Sequence, residues 1–154
     1  MFINCQDNVI EAINRFEWPS SEIINNLSSK DDSIRIAAAK EIVKWQCYYY
    51  QLGIMMNDIR NSSYHSIGLS LTGELFVMTD LNHIIRNISE NKSLDLKEED
   101  ITKFISEIEF RLKDIKDAIE KYENVSNKKI LKSFFDKCFT IKYRILLSLK
   151  QLIS

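Results

Sequence analysis

Apolar residues recur every three or four positions through most of this chain, the spacing that lines one face of an α-helix. The most regular run lies towards the end. Ile101, Ile105, Ile108, Leu112, Ile115, Ile119 and Tyr122 are separated by alternating steps of four and three, a heptad seam sustained for three repeats. From about Asn127 to Ile153, Leu131, Phe134, Cys138, Ile141, Ile145, Leu149 and Leu152 keep a comparable spacing. Only Asn124, Val125 and Ser126 stand between the two runs, so an antiparallel α-hairpin is predicted over residues 97–153.

Before that hairpin the pattern is shorter and more broken. Val9, Ile10, Ile13 and Phe16 form a helical stripe that Trp18-Pro19 stops, and Ser20 or Ser21 can cap a second short helix to about Leu27, so residues 1–30 are predicted as short N-terminal helices. Asp31, Asp32 and Ser33 each offer a side-chain oxygen to the free N–H groups of a first turn. They open a long helix over 33–60, whose run from Ile34 to about Ile59 would measure about 39 Å at about 1.5 Å per residue. It is apolar on several sides (Ile42, Val43, Trp45, Tyr48, Tyr49, Leu52, Met55, Met56), the pattern of a central, largely surrounded helix. Ile67, Leu69 and Leu71 then alternate with small or polar residues, and Thr72-Gly73-Glu74 precedes Leu75 to Met78, which predicts a short β-hairpin over 67–79. Asp80 caps a further helix over 80–92 with Leu81, Ile84, Ile85 and Ile88 on one face. The fold class expected is therefore mainly α: a helical bundle with a long central helix, a C-terminal antiparallel α-hairpin and one short β-hairpin.

At 154 residues and 18.1 kDa the chain suits one domain, 1–154, and is short for two. Only 3 Gly and 1 Pro leave few sharp turns, which favours long helices even though 23 Ile would suit strands. Cys5, Cys47 and Cys138 are odd in number and in no paired motif, which fits a reducing compartment. The first ten residues lack a basic n-region and include Asp7, unlike a secretory signal, and no stretch reaches the roughly 18 apolar residues of a spanning helix. A cytoplasmic protein that does not enter the membrane is expected.

The net charge of −1 conceals a segregation. Residues 74–123 hold 8 basic and 13 acidic groups, whereas 125–154 hold 7 basic and 1 acidic. Lysines interleaved with Phe134, Phe135, Phe139 and Tyr143 would suit a nucleic-acid or membrane surface. The acidic helix directly before them offers a simpler role: opposite charges flanking an apolar seam set which helices pair and in what orientation.

Candidate chemistry is sparse. Two histidines, His65 and His83, and no paired metal-ligand motif leave little for a metal, and no Gly-rich phosphate loop is present; neither metal nor cofactor is expected. Cys47 or Cys138 could pair with a histidine as a nucleophile, although isolated helical cysteines commonly serve as small core residues. Trp45, Tyr48, Tyr49 and Tyr50 form an unusual cluster, because consecutive helical residues point about 100° apart and three adjacent tyrosines cannot share one core. They are candidate partner-binding residues, tyrosine being enriched at interfaces.

The segment Arg60-Asn61-Ser62-Ser63-Tyr64-His65 resembles the Arg-Asn-x-x-x-His motif of the HEPN superfamily (higher eukaryotes and prokaryotes nucleotide-binding), small helical bundles that are often metal-independent ribonucleases. The resemblance implies a composite site formed by two protomers. Arg60 and His65 would take the catalytic roles and Asn61 would orient them, with RNA as substrate. A histidine can move a proton near neutral pH, and an arginine offers fixed donors to charge growing on phosphorus. Residues five apart diverge on a continuous helix, so such a pair requires the helix to end between them. Otherwise Arg60 and Asn61 simply close the long helix, where a cation suits the dipole.

The function expected is a non-enzymatic intracellular binding protein, an inhibitor such as an immunity protein that neutralises a toxin by occluding its active site. Glu107, Asp114 and Asp117 would mimic phosphate if the toxin is a nuclease. The partner is a protein, a toxin or other enzyme; a homodimer through the seam at 101–122 is a further expectation, and RNA enters only in the ribonuclease alternative.

Overall fold

The computed structural model of the protein describes residues 5–58, 62–121 and 125–154. These form six helices: α1 (Cys5–Asn14), α2 (Ser21–Asn26), α3 (Asp32–Asn57), α4 (Ser62–Ser89), α5 (Glu98–Glu120) and α6 (Val125–Ile153). The helix starts use the residues the sequence offers. Ser20 Oγ accepts from the N–H of Ile23 at 3.2 Å, and Asp31 Oδ1 accepts from the N–H groups of Ser33 at 2.9 Å and Ile34 at 3.3 Å. The Ser33 hydroxyl and those two amides hold the Asp31 carboxyl below its usual range. Asp100 accepts from the N–H of Lys97 at 3.0 Å and ties down the first turn of α5.

The four long helices pack in chain order, α3 on α4, α4 on α5 and α5 on α6, while α1 and α2 lie between α3 and α6 and close the ring. The last gap is filled by aromatic rings. Phe134 of α6 packs edge-on against Phe16 at 5.3 Å, tilted against Trp18 at 5.5 Å and stacked on Tyr49 at 6.4 Å between centroids. Trp45 stacks on Tyr49 at 5.9 Å. Ser148 of α6 adds a hydrogen bond to the carbonyl of Ile24 in α2 at 2.8 Å.

The predicted α-hairpin is present as α5 and α6. Ile101, Ile108, Ile115 and Ile119 are buried, with Ile105 and Leu112 packed against them, and Leu131, Phe134, Cys138, Ile141, Ile145 and Leu149 are buried opposite. Tyr122 lies outside the described residues. The seam is thus internal to one chain. Ion pairs follow the antiparallel order: Glu98 to Lys150 at 3.3 Å, Lys116 to Asp136 at 2.9 Å, and Glu120 to both Lys128 and Lys132. Exposed pairs like these contribute roughly 0.2–1 kcal/mol each, so their main effect is on register.

Two expectations are corrected. Residues 67–79 are not a β-hairpin but the middle of α4, which also absorbs the helix expected to start at Asp80; among the described residues no strand occurs. The alternation of Ile67, Leu69 and Leu71 was incidental: Ile67 and Leu71 are buried, whereas Leu69 is 61% exposed. The glycines serve close helix approach instead of a turn. A Cβ on Gly68 would stand 3.3 Å from Asn57 Cα, and one on Gly73 would stand 2.6 Å from Arg111 Nη1. The left-handed residue is Asn91 (φ 55°), which ends α4: its N–H bonds to the Ile88 carbonyl and the N–H of Lys92 reaches back to Asn87 at 2.9 Å.

The helix expected over 33–60 ends at Asn57 and is a wall of the bundle, not its centre. Its buried residues (Ala38, Ala39, Ile42, Trp45, Gln46, Tyr49, Leu52, Gly53 and Met56) fall on one side, while Ile34, Tyr48, Tyr50, Ile54 and Met55 are exposed. Its all-round apolar character reflects exposed hydrophobic side chains.

Candidate functional site

Of the aromatic cluster, Trp45 (3% exposed) and Tyr49 (1%) belong to the core, and only Tyr48 (50%) and Tyr50 (38%) reach the surface. These two face different surroundings. Tyr48 lines a cavity of about 340 Å³ between α1 and α3 with Phe16, Leu52 and Met55, whereas Tyr50 lines a cleft between α3 and α4. The four residues therefore form no common surface.

The Tyr49 hydroxyl is committed to the interior. It donates to Glu74 Oε2, while Glu74 Oε1 takes the ammonium of Lys142, whose Nζ also lies 4.0 Å from the Tyr49 ring centroid. Glu74 and Lys142 are both 2% exposed, so α3, α4 and α6 are tied by a buried ionic triad. Burial pushes the Tyr49 phenol well up and pulls the Lys142 ammonium well down.

The acidic candidates occupy a different place. Glu107, Asp114 and Asp117 lie on the side of α5 that turns away from the core; Asp117 is exposed and the other two are half-buried. Phe110, 59% exposed, falls among them at helical spacing, and Lys103 and Lys121 bound the stripe. On α4, Leu69 and Phe76 are seven residues apart and share an outward face at 61% and 73% exposure. Arg111 joins the two helices: its guanidinium lies against Gly73, between Leu69 and Phe76, and its Cζ is 5.5 Å from the Phe110 ring centroid. The outcome is an apolar and aromatic patch with an arginine at its middle and carboxylates along one edge.

No protein-family model, curated protein or solved structure gives a significant match to this chain. The site therefore stands on its own geometry.

Sequence reasoning placed Leu69 and Phe76 in the expected hairpin and passed over Phe110. The signal for Phe110 was available: it is an aromatic off the heptad seam, between Glu109 and Arg111 on a polar face. Arg60 and Asn61 lie outside the described residues, and His65 is exposed in the first turns of α4. Among the described residues no cluster of three or more His, Cys, Asp or Glu side chains could hold a metal, and no helix is long and apolar enough to cross a membrane.

Most of the basic block on α6 is already engaged. Lys128, Lys132, Lys142 and Lys150 meet carboxylates, Lys137 Nζ sits 4.6 Å from the Trp18 ring centroid, and Arg144 reaches the Ser21 hydroxyl. Lys128, Lys132 and Lys150 pair with α5, as the helix-pairing account expects, whereas Lys142 meets α4, Lys137 meets Trp18 and Arg144 meets Ser21 of α2.

Proposed function

We propose that the protein is a non-enzymatic binding protein that docks one protein partner on the outer face of α4 and α5, as an immunity protein or similar inhibitor docks a toxin. The observation that carries this reading is the grouping of Leu69, Phe76 and Phe110 around Arg111. Three large hydrophobic side chains more than half exposed on adjoining helices are costly to leave in water and typical of interaction sites. Aromatic and arginine side chains are also the residues that dominate binding energies. The edge formed by Glu107, Asp114 and Asp117 favours a partner with a basic surface, such as the phosphate-binding site of a nuclease. Binding there would block that site without chemistry.

A photo-crosslinking residue placed at Phe110 tests the reading in the native cell. The expected result is a single adduct with a basic protein whose activity falls stoichiometrically when the purified chain is added. An adduct whose activity is unchanged by the chain would refute the inhibitor role, and capture directed only by Tyr48 or Tyr50 would refute the surface.

A HEPN-like ribonuclease acting as a dimer is a second reading, and one observation favours it. α3 ends at Asn57, before Arg60, and His65 stands on α4, which begins at Ser62, so the motif is not carried on α3 alone. Cleavage of RNA in the presence of a chelator, abolished by His65→Ala, would support it; intact RNA removes it.

A further inference from the structure

A cleft of about 320 Å³ opens between α3 and α4 on the side away from α5. It is lined by Cys47, Tyr50, Thr79, Asn82, His83 and Arg86, together with Gln51, and no carboxylate lines it. Arg86 makes no ion pair among the described residues, and the nearest acid in sequence, Glu90, is held by Lys92 at 2.8 Å. The positive field of the site is nevertheless felt there. Glu90 is held below its usual range first by its hydrogen bond and charge contact with Lys92, and further by Arg86 and His83.

Asn82, which lines the cleft, and Gln46, in the α3–α4 seam, carry unspent hydrogen-bonding capacity. Gln46 is 1% exposed, yet neither its amide nitrogen nor its oxygen has a partner, and Asn82 Oδ1 is buried without one. A Cβ on Gly53 would stand 3.0 Å from Leu75, and one heptad along each antiparallel helix from that contact brings Gln46 level with Asn82. Buried polar atoms are almost always paired, by protein, water or ligand. A guanidinium without a carboxylate partner, an imidazole and a phenol on one rim suit an anion that carries an organic group, and the unpaired Asn82 Oδ1 calls for a proton donor such as the P–OH of a monoester monoanion. The volume lies at the lower end of ligand pockets.

We propose that this cleft binds a small phosphomonoester, with Arg86 and His83 on the phosphate, Tyr50 against the organic group, and Asn82 Oδ1 accepting the P–OH proton of the monoanion. The planar fork of arginine matches two phosphate oxygens, and histidine supplies a second donor. The cleft opens on the α3 flank of α4 and the patch on its α5 flank, with no residue common to both, so the site stands or falls independently of the partner reading.

Phenyl phosphate and inorganic phosphate are titrated into the full chain while backbone amide NMR shifts are followed at Asn82, His83 and Arg86. In a Cys5→Ser background, alkylation of Cys47 gives a second readout, because the exposed Cys47 lines the cleft and Cys138 is buried. Phenyl phosphate is expected to bind several-fold more tightly than inorganic phosphate and to slow Cys47 alkylation several-fold. Arg86→Gln, at an exposed position that leaves the fold intact, should weaken both at least tenfold. Shifts equal to those from chloride at matched ionic strength, unchanged binding in Arg86→Gln, or acetate binding as well as phosphate would each overturn the proposal.

Discussion

Replacing Glu74 with alanine would strand the Lys142 ammonium inside the bundle, where it is 2% exposed and where the described structure gives it no other carboxylate. Removing one partner of a buried pair costs about 3–5 kcal/mol, because the remaining charge keeps its desolvation penalty without its compensation. Against a total stability of about 5–15 kcal/mol this is a large fraction. With a urea m-value of about 2 kcal/mol/M the unfolding midpoint should fall by roughly 2 M. The wild-type chain should itself gain stability as pH rises. Burial holds the Lys142 pKa well below its ordinary value in the fold, so between the folded and unfolded values the unfolded chain binds more protons and stability increases towards about pH 10.5. Tyr49→Phe removes a hydrogen bond to a charged acceptor and should cost about 1.5–3 kcal/mol. The double replacement Glu74→Leu with Lys142→Met removes both charges at similar volume and should be near neutral or stabilising. Equilibrium urea unfolding of the wild type and the three variants supplies the comparison. A Glu74→Ala cost below about 1 kcal/mol, or a double variant as weak as Glu74→Ala, would refute the argument that charge burial sets this site's energetics.

Two further outcomes follow from packing and burial. Gly73→Ala should raise stability by up to about 1 kcal/mol, because alanine favours the helix and the clashing Arg111 guanidinium is the far end of a flexible chain; thermal unfolding would register it. The Cys138 thiol is raised above its ordinary 9.0 by burial, so its contribution is intact below about pH 9 and is lost as pH rises through the folded value. The penalty of Cys138→Ala, measured by urea unfolding across pH 7–11, should therefore stay flat to about pH 9 and then decline by at most about 1.4 kcal/mol per pH unit.

The α5–α6 hairpin was legible because its seam repeats without a charged interruption. α4 carries an equally regular seam: Ile67, Leu71, Glu74, Met78, Leu81, Ile85 and Ile88 keep the same alternating steps of four and three. Glu74 in the middle of it, beside Gly73, made the segment read as a turn. A carboxylate at a core position becomes intelligible only when Lys142 and Tyr49 are seen to converge on it, and both are distant in sequence. Packing of α4 against α3 and α5 overrides the weak helix propensity of Gly68 and Gly73. The 100° step between helical residues requires the tyrosine run to divide between environments, but that Trp45 and Tyr49 face inward and not towards a partner depends on where α1 and α6 lie. The exposed patch was hidden for a related reason: Leu69, Phe76 and Phe110 become neighbours only through the α4–α5 contact at Gly73 and Arg111.

The most direct measurement is a calorimetric titration of the captured basic partner with the wild-type chain, Phe76→Asp, and the pair Glu107→Lys and Asp114→Lys. If the α4–α5 face is the docking surface, Phe76→Asp should weaken binding at least about 30-fold, as loss of a central anchor does. The lysine pair should weaken it more at low salt than at high salt, since those carboxylates act through long-range attraction. Affinity unchanged by Phe76→Asp, with both variants folded, would contradict the account.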